Sequence, residues 1–197
     1  MTEPLVFQHG AAATAFDVVV GAWFAFELAM TIRQRRLAEG PPARDRTAFL
    51  LLAAVAGSIV AAELLGREGP LPWPGGRVWP VLAGLALIAL GIGLRAWSIA
   101  SLGRFFQYRI EVQAGHRVVT EGPYRYLRHP SYSGIALTIV GFALASGDVL
   151  SLLAVAILGG AGLAVRIRAE ERQLTEALGA EYRRFAAERR RLVPGVW

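Results

Sequence analysis

The chain has 197 residues, 54% of them hydrophobic, with a mean hydropathy of +0.42. That is too apolar for an ordinary soluble domain of this length. Cysteine is absent, which excludes disulfide frameworks, thiolate metal sites and cysteine nucleophiles, and the three histidines (His9, His116 and His129) lie too far apart for a histidine-rich metal cluster. All 21 basic residues are arginine and the net charge is +6, but no aromatic-interleaved basic module accompanies them, so nucleic acid is not an expected partner.

The N-terminus, MTEPLVFQHG, lacks a basic stretch and a small-residue cleavage pattern, so the first apolar run is expected to stay as a membrane helix. Crossing a bilayer core of roughly 30 Å takes about 20 apolar residues. Residues 14–32, 47–65 and 78–100 meet that length. A polar segment follows over 101–130, then two apolar runs, 132–145 and 149–165, separated by the tight break SGD. The fourth run is short for a full crossing, so this last pair reads as a hairpin, full or shallow, that begins and ends on one side. Glycines recur in the third run (Gly84, Gly91, Gly93) and the fifth (Gly159, Gly160, Gly162), as close helix packing requires. No GxGxxG follows a strand, and no internal repeat is present. In the tail, Leu174, Leu178, Tyr182 and Phe185 recur at helical spacing among charges, which predicts one amphipathic helix on the membrane surface, anchored to anionic lipid or covering a site.

The arginines are unevenly spread. Eighteen fall in the segment 33–46, the segment 101–130 and the tail from 166, against two in 66–77; Arg95 lies inside the third run. The positive-inside rule makes the arginine-rich side cytoplasmic. The expected fold is therefore an all-α integral membrane protein with five transmembrane segments, the last two a hairpin, plus a cytoplasmic amphipathic C-terminal helix. The N-terminus lies outside and the C-terminus inside, in a bacterial or archaeal plasma membrane. Trp73 and Trp79 suit the outer interface and Trp97 the inner one. The chain divides into the three N-terminal helices (1–100) and a segment carrying the polar motifs (101–197).

Two polar clusters flank the hairpin: RYLRHPSY before it and RIRAEE after it. A hairpin that returns to its starting side brings them together as one cytoplasm-facing pocket, and ionisable groups at such depth mark a site by default. The plainer readings are structural. Arg128, Arg166 and Arg168 would snorkel and hold topology. His129 would bond backbone at a helix start. Glu170 and Glu171 would pair with Arg166 or Arg168 one turn away. Arg95 would form a buried pair with Glu63 or Glu27. For single residues these readings are favoured; for the whole constellation a site is.

GHRVVTEGPYRYLRHPSYSG, followed some 40 residues on by VRIRAEERQLTEALGAEYRRF, resembles the isoprenylcysteine carboxyl methyltransferase family, part of a wider group of integral-membrane methyltransferases that includes phospholipid methyltransferases. The pattern is H-x-[LV]-V-T-x-G-x-Y, R-H-P-x-Y-x-G, R-x-R-x-E-E and G-x-E-Y, covering residues 102–194; Val118 stands in place of the usual leucine, and FQYRIEVQ does not align. The resemblance implies methyl transfer from S-adenosylmethionine to a lipophilic acceptor arriving from the bilayer. It implies that His116, Arg117, Val118 and Val119 line the cofactor through their backbone. Tyr124, His129, Pro130, Ser131 and Tyr132 continue that pocket, Glu170 binds the cofactor, and Arg166 faces the acceptor.

Residue chemistry fits that assignment. Glu170 or Glu171 can accept from a ribose hydroxyl or an amine, and His129 and the tyrosines can donate to a carboxylate. An acceptor carboxylate is ionised at neutral pH and needs no general base, and an arginine fork suits holding it. Arg166 and Glu170 are thus the expected catalytic pair, with Arg95 a weaker substrate-side candidate and no metal. An amine acceptor, as in a phospholipid N-methyltransferase, would need a glutamate as base. Two rival functions stand beside these: a membrane reductase of the sterol type using NADPH, and a non-enzymatic membrane scaffold.

Overall fold

The computed structural model describes residues 5–8, 10–37, 45–69, 71–76, 78–106 and 118–193. Among the described residues six α-helices carry the fold: α1 (Ala11–Leu37), α2 (Arg46–Glu68), α3 (Val78–Leu102), α4 (Pro130–Ala145), α5 (Val149–Leu178) and α6 (Ala180–Glu188). Four of them, α1, α2, α3 and α5, contain stretches long and apolar enough to cross a membrane. Their outward faces remain apolar: Val18, Phe24, Phe49, Leu52, Leu64, Leu82, Leu90 and Ile157 are all exposed. Water would make such faces costly, whereas a lipid environment accepts them.

The shortest apolar helix, α4, is the most enclosed. It packs along α3 and also meets α5 and α2. Glycine sets the α3–α4 spacing: a Cβ at Gly84 would strike Gly141 and Ala145, and one at Gly91 would strike Gly134 and Thr138. Gly159 and Gly162 likewise face Ile139 and Ala54. Gly93 and Gly160 lie on open faces with nothing near them, so they are not packing positions, contrary to the sequence expectation. Ile88, Ile135, Ile139, Phe142, Val155, Leu163 and Ile167 form the core around this seam.

The depth of the α4–α5 hairpin is read from its tip. Asp148, fully buried, caps α5 by accepting from the Leu150 amide at 2.8 Å, and its other oxygen accepts from the Leu71 amide at 2.6 Å. The Val149 amide donates to the Leu71 carbonyl at 2.9 Å. The hairpin tip thus reaches the loop joining α2 to α3, although 16 residues span only about 24 Å. Trp73 and Trp79 stack edge to face at this end, with centroids 5.7 Å apart; Trp97 lies beside Gly122 near the start of α4.

The tail departs from expectation. α5 does not stop at residue 165 but runs to Leu178, taking RIRAEE and Leu174 with it. Gly179, at φ 56° and ψ −122°, breaks the chain before α6. A side chain would be strained there. The single predicted amphipathic helix is therefore two pieces, and only Tyr182 and Phe185 of its stripe belong to α6, where both are buried.

Candidate functional site

The two motifs flanking the hairpin meet. Pro130 opens α4 at its first position, where proline costs no helical hydrogen bond. The preceding turn needs Gly122, which has φ 57° and whose Cβ would collide with Ser101 and Trp97. This start points Tyr132 across to α5, where its hydroxyl donates to Glu170 Oε2 at 2.6 Å. Arg166, one helical turn before Glu170, donates from Nε to the same hydroxyl at 3.0 Å. Its Nη1 donates to Thr47 Oγ1 at 2.8 Å and pairs with Asp45 Oδ2. Arg166 is only 2% exposed, so the polar chain of Asp45, Arg166, Tyr132 and Glu170 has a buried middle, and its Glu170 end is partly exposed.

Glu171 anchors a second network. Its Oε1 accepts from Arg128 Nη1 at 2.8 Å and lies 3.3 Å from His129 Nε2, while Oε2 accepts from Arg191 Nε and Nη2 at 3.0 and 2.8 Å. The stretch around Arg191 runs beside the start of α4: the Arg128 and His129 amides donate to the carbonyls of Arg190 and Arg191 at 2.8 and 3.1 Å, and Ser133 Oγ donates to the Leu192 carbonyl at 2.7 Å. With Glu171 so occupied, Glu170 is the carboxylate with capacity to spare. Oε2 takes one bond from Tyr132, and Oε1 stands 3.8 Å from His129 Nδ1.

The remaining expected positions divide. Tyr124 is buried, and burial together with the Glu170 carboxylate pushes its phenol up, so it stays protonated. Val118 and Val119 are half-buried, and the Val118 amide donates to Glu181 Oε1 at 3.2 Å. Ser131 accepts from Arg95 Nη1 at 2.7 Å. Arg95 is itself paired with Glu27, its Nη2 lying 2.9 Å from Oε2, so of the two partners weighed for it, Glu27 is the one found. Glu63 pairs with Arg67 instead. Arg168 is exposed on the far face of α5. His116 and Arg117 lie outside the described residues.

Three participants carry no functional signal in the sequence. Asp45 is legible as an N-cap, an Asp directly before an apolar run, and it accepts from the Thr47 and Ala48 amides at 3.0 and 3.1 Å. Nothing in the sequence ties it to an arginine 121 residues away. Arg191 is one of eight tail arginines and has no distinguishing context. Tyr182 reads as a member of an apolar stripe, yet its buried hydroxyl has no hydrogen-bond partner among the described residues.

The fold and the cluster define a class: a helical bundle with membrane-length apolar helices and a buried polar site where its last hairpin begins and ends. Residues 84–176 match the isoprenylcysteine carboxyl methyltransferase (ICMT) family. An uncharacterised Bacillus subtilis protein, YpbQ, is 32% identical over 120 residues, 60% of this chain and 67% of that one. Protein-S-isoprenylcysteine O-methyltransferase B of Arabidopsis thaliana is 36% identical over 110 residues, 55% of this chain and 56% of its own. Protein-S-isoprenylcysteine O-methyltransferase of Schizosaccharomyces pombe is 29% identical over 103 residues, 51% and 44% of the two chains. The alignments thus span about two thirds of YpbQ and about half of the named methyltransferases. The chain belongs to the isoprenylcysteine carboxyl methyltransferase family.

Proposed function

We propose that the protein is an integral-membrane methyltransferase that moves a methyl group from S-adenosylmethionine to the carboxylate of a lipophilic acceptor. The observation that supports this most is the 2.6 Å bond from Tyr132 of R-H-P-x-Y to Glu170 of R-x-R-x-E-E, with Arg166 on the same hydroxyl. The residues fit the cofactor's chemistry. Glu170 retains lone pairs for a ribose hydroxyl or amine, while Val118 and Val119 lie on a segment tied to α6. When bound, S-adenosylmethionine supplies an electrophilic methyl group on a sulfonium.

In this reading Glu170 holds the cofactor, and His116, Arg117, Val118, Val119, Tyr124, His129, Pro130, Ser131 and Tyr132 line its place. Glu171 orients His129 and Arg128. Arg166 faces the acceptor, with Arg95 as a further substrate-side residue whose bond to Ser131 ties it to the cofactor lining. The acceptor carboxylate is ionised at neutral pH, so the protein has no proton to remove. Its work is alignment and exclusion of water, for which a buried, pre-held guanidinium is suited. The names of the plant and yeast relatives point to an isoprenylated cysteine as the acceptor class. Residues 1–100 shape the lipid side and residues 101–197 hold the cofactor. The site faces the cytoplasm of a bacterial or archaeal cell, with the N-terminus outside and α4 and α5 completing five crossings.

Binding of labelled S-adenosylmethionine and of NADPH to the purified protein, followed by methyl transfer to a prenylcysteine analogue, tests this. Tight S-adenosylmethionine binding with an esterified product is expected. Binding of NADPH alone would overturn it in favour of a reductase.

A further inference from the structure

We propose that Tyr182 on α6 is a further cofactor-contacting residue, whose phenolic O–H donates to an acceptor atom of S-adenosylmethionine; this rests on the methyltransferase reading above. Tyr182 is 4% exposed, and its hydroxyl is among the few buried side-chain polar atoms of the described residues that have no hydrogen-bond partner. Native proteins pair the great majority of such groups, because an unpaired buried donor is costly. Packing alone does not call for the oxygen: Phe185, one turn on, fills the neighbouring space with a plain ring, its centroid 5.9 Å away.

The hydroxyl sits among the charges of the site. Glu171, Glu170, Arg128 and Arg191 all act on it electrostatically. Burial first, and then the two carboxylates, push its ionisation up, so the group remains a donor. Neither carboxylate accepts from it: Glu171 is held by Arg128, His129 and Arg191, and Glu170, bonded by Tyr132, keeps its other lone pairs for the cofactor. α6 is also joined to the expected cofactor segment, through the 3.2 Å bond from the Val118 amide to Glu181. The turn at Gly179 sets α6 so that Tyr182 and Phe185 face inward. A carboxylate, two ribose hydroxyls and adenine ring nitrogens make the adenosyl amino acid rich in acceptors, which suits a donor left without one.

The test is Tyr182→Phe in the full-length protein, with S-adenosylmethionine and S-adenosylhomocysteine binding measured by calorimetry and ligand-free stability by thermal melting. We expect affinity for both compounds to fall about ten-fold, since they share every acceptor atom named above. The ligand-free melting temperature should stay level or rise, since the variant loses only an unsatisfied hydroxyl. Phe185→Leu is the packing control, expected to melt earlier and bind normally. Unchanged affinity in Tyr182→Phe, or an equal loss in Phe185→Leu, overturns the contact while leaving the methyltransferase reading intact. A lowered ligand-free melting temperature in Tyr182→Phe overturns it too, by showing a partner within the protein. A wild-type protein that binds neither compound overturns the reading and the contact together.

Discussion

The Asp45 carboxylate is shared between a helix start and a guanidinium. One oxygen caps α2, and the other meets Arg166. Asparagine caps about as well as aspartate but carries no charge. Asp45→Asn therefore separates the two roles. Turnover is expected to fall about ten-fold and the melting temperature to drop although the cap is kept, because Arg166 loses a charge-assisted bond worth about 1.5–3 kcal/mol and stays buried without its carboxylate. An unchanged rate would confine Asp45 to capping. Arg166→Lys probes the other partner. The guanidinium reaches Tyr132 with Nε and Asp45 and Thr47 with Nη1, two directions that a single ammonium does not serve together. Near-normal cofactor affinity with most turnover lost is the expected result. Wild-type turnover would leave Arg166 as a topological anchor only. Glu171→Gln is expected to lower the melting temperature and loosen the tail to protease, because one charge now joins Arg128, His129 and Arg191. The motif residues of this cluster were legible because R-H-P-x-Y and R-x-R-x-E-E are compact patterns. Asp45 and Arg191 were not, since each gains its meaning from a partner on a distant element.

At the level of elements, the apolar runs predicted the cores of α1, α2, α3 and α5 well, because length and hydropathy are local properties. Their ends were less legible. α5 extends 13 residues past its apolar part, since Arg166 and Ile167 stay buried and Glu170 and Glu171 meet Tyr132 and His129, while Arg168 and Arg172 are exposed. Glycine enrichment announced close packing but not which glycines take part, since that depends on rotation against a neighbour. The seam makes a quantitative contrast. Gly134→Val, beside the Gly91 carbonyl and Arg95, should cost about 1–3 kcal/mol or more through overpacking. Gly160→Ala, with nothing within 4 Å, should stay within about 0.5 kcal/mol. Unfolding in mixed detergent measures both, and equal effects would contradict the packing described here.

At the level of the molecule, the arginine asymmetry and the arrangement of ends make one expectation. Reporters fused after Arg36 and after Trp197 should read cytoplasmic, and one at Gly75 external. A cytoplasmic signal at Gly75 would invert the orientation. The all-helical class was readable from composition, whereas the meeting of the hairpin tip with the α2–α3 loop was not, because it rests on a few backbone bonds around one buried aspartate.

Those few bonds have a mechanical consequence. Asp148 and Leu71 rivet the α4–α5 hairpin to the α2–α3 loop at the end remote from Glu170, while at the opposite end the Arg166–Asp45 ion pair ties α5 to the start of α2. A bundle so built should behave like a clothes-peg, pivoting at the rivet and parting at the ion-paired end. Amides at Leu71 and Val149 should therefore exchange with solvent more slowly than those at Thr47 and Ala48, which the Asp45 side chain holds at the other end.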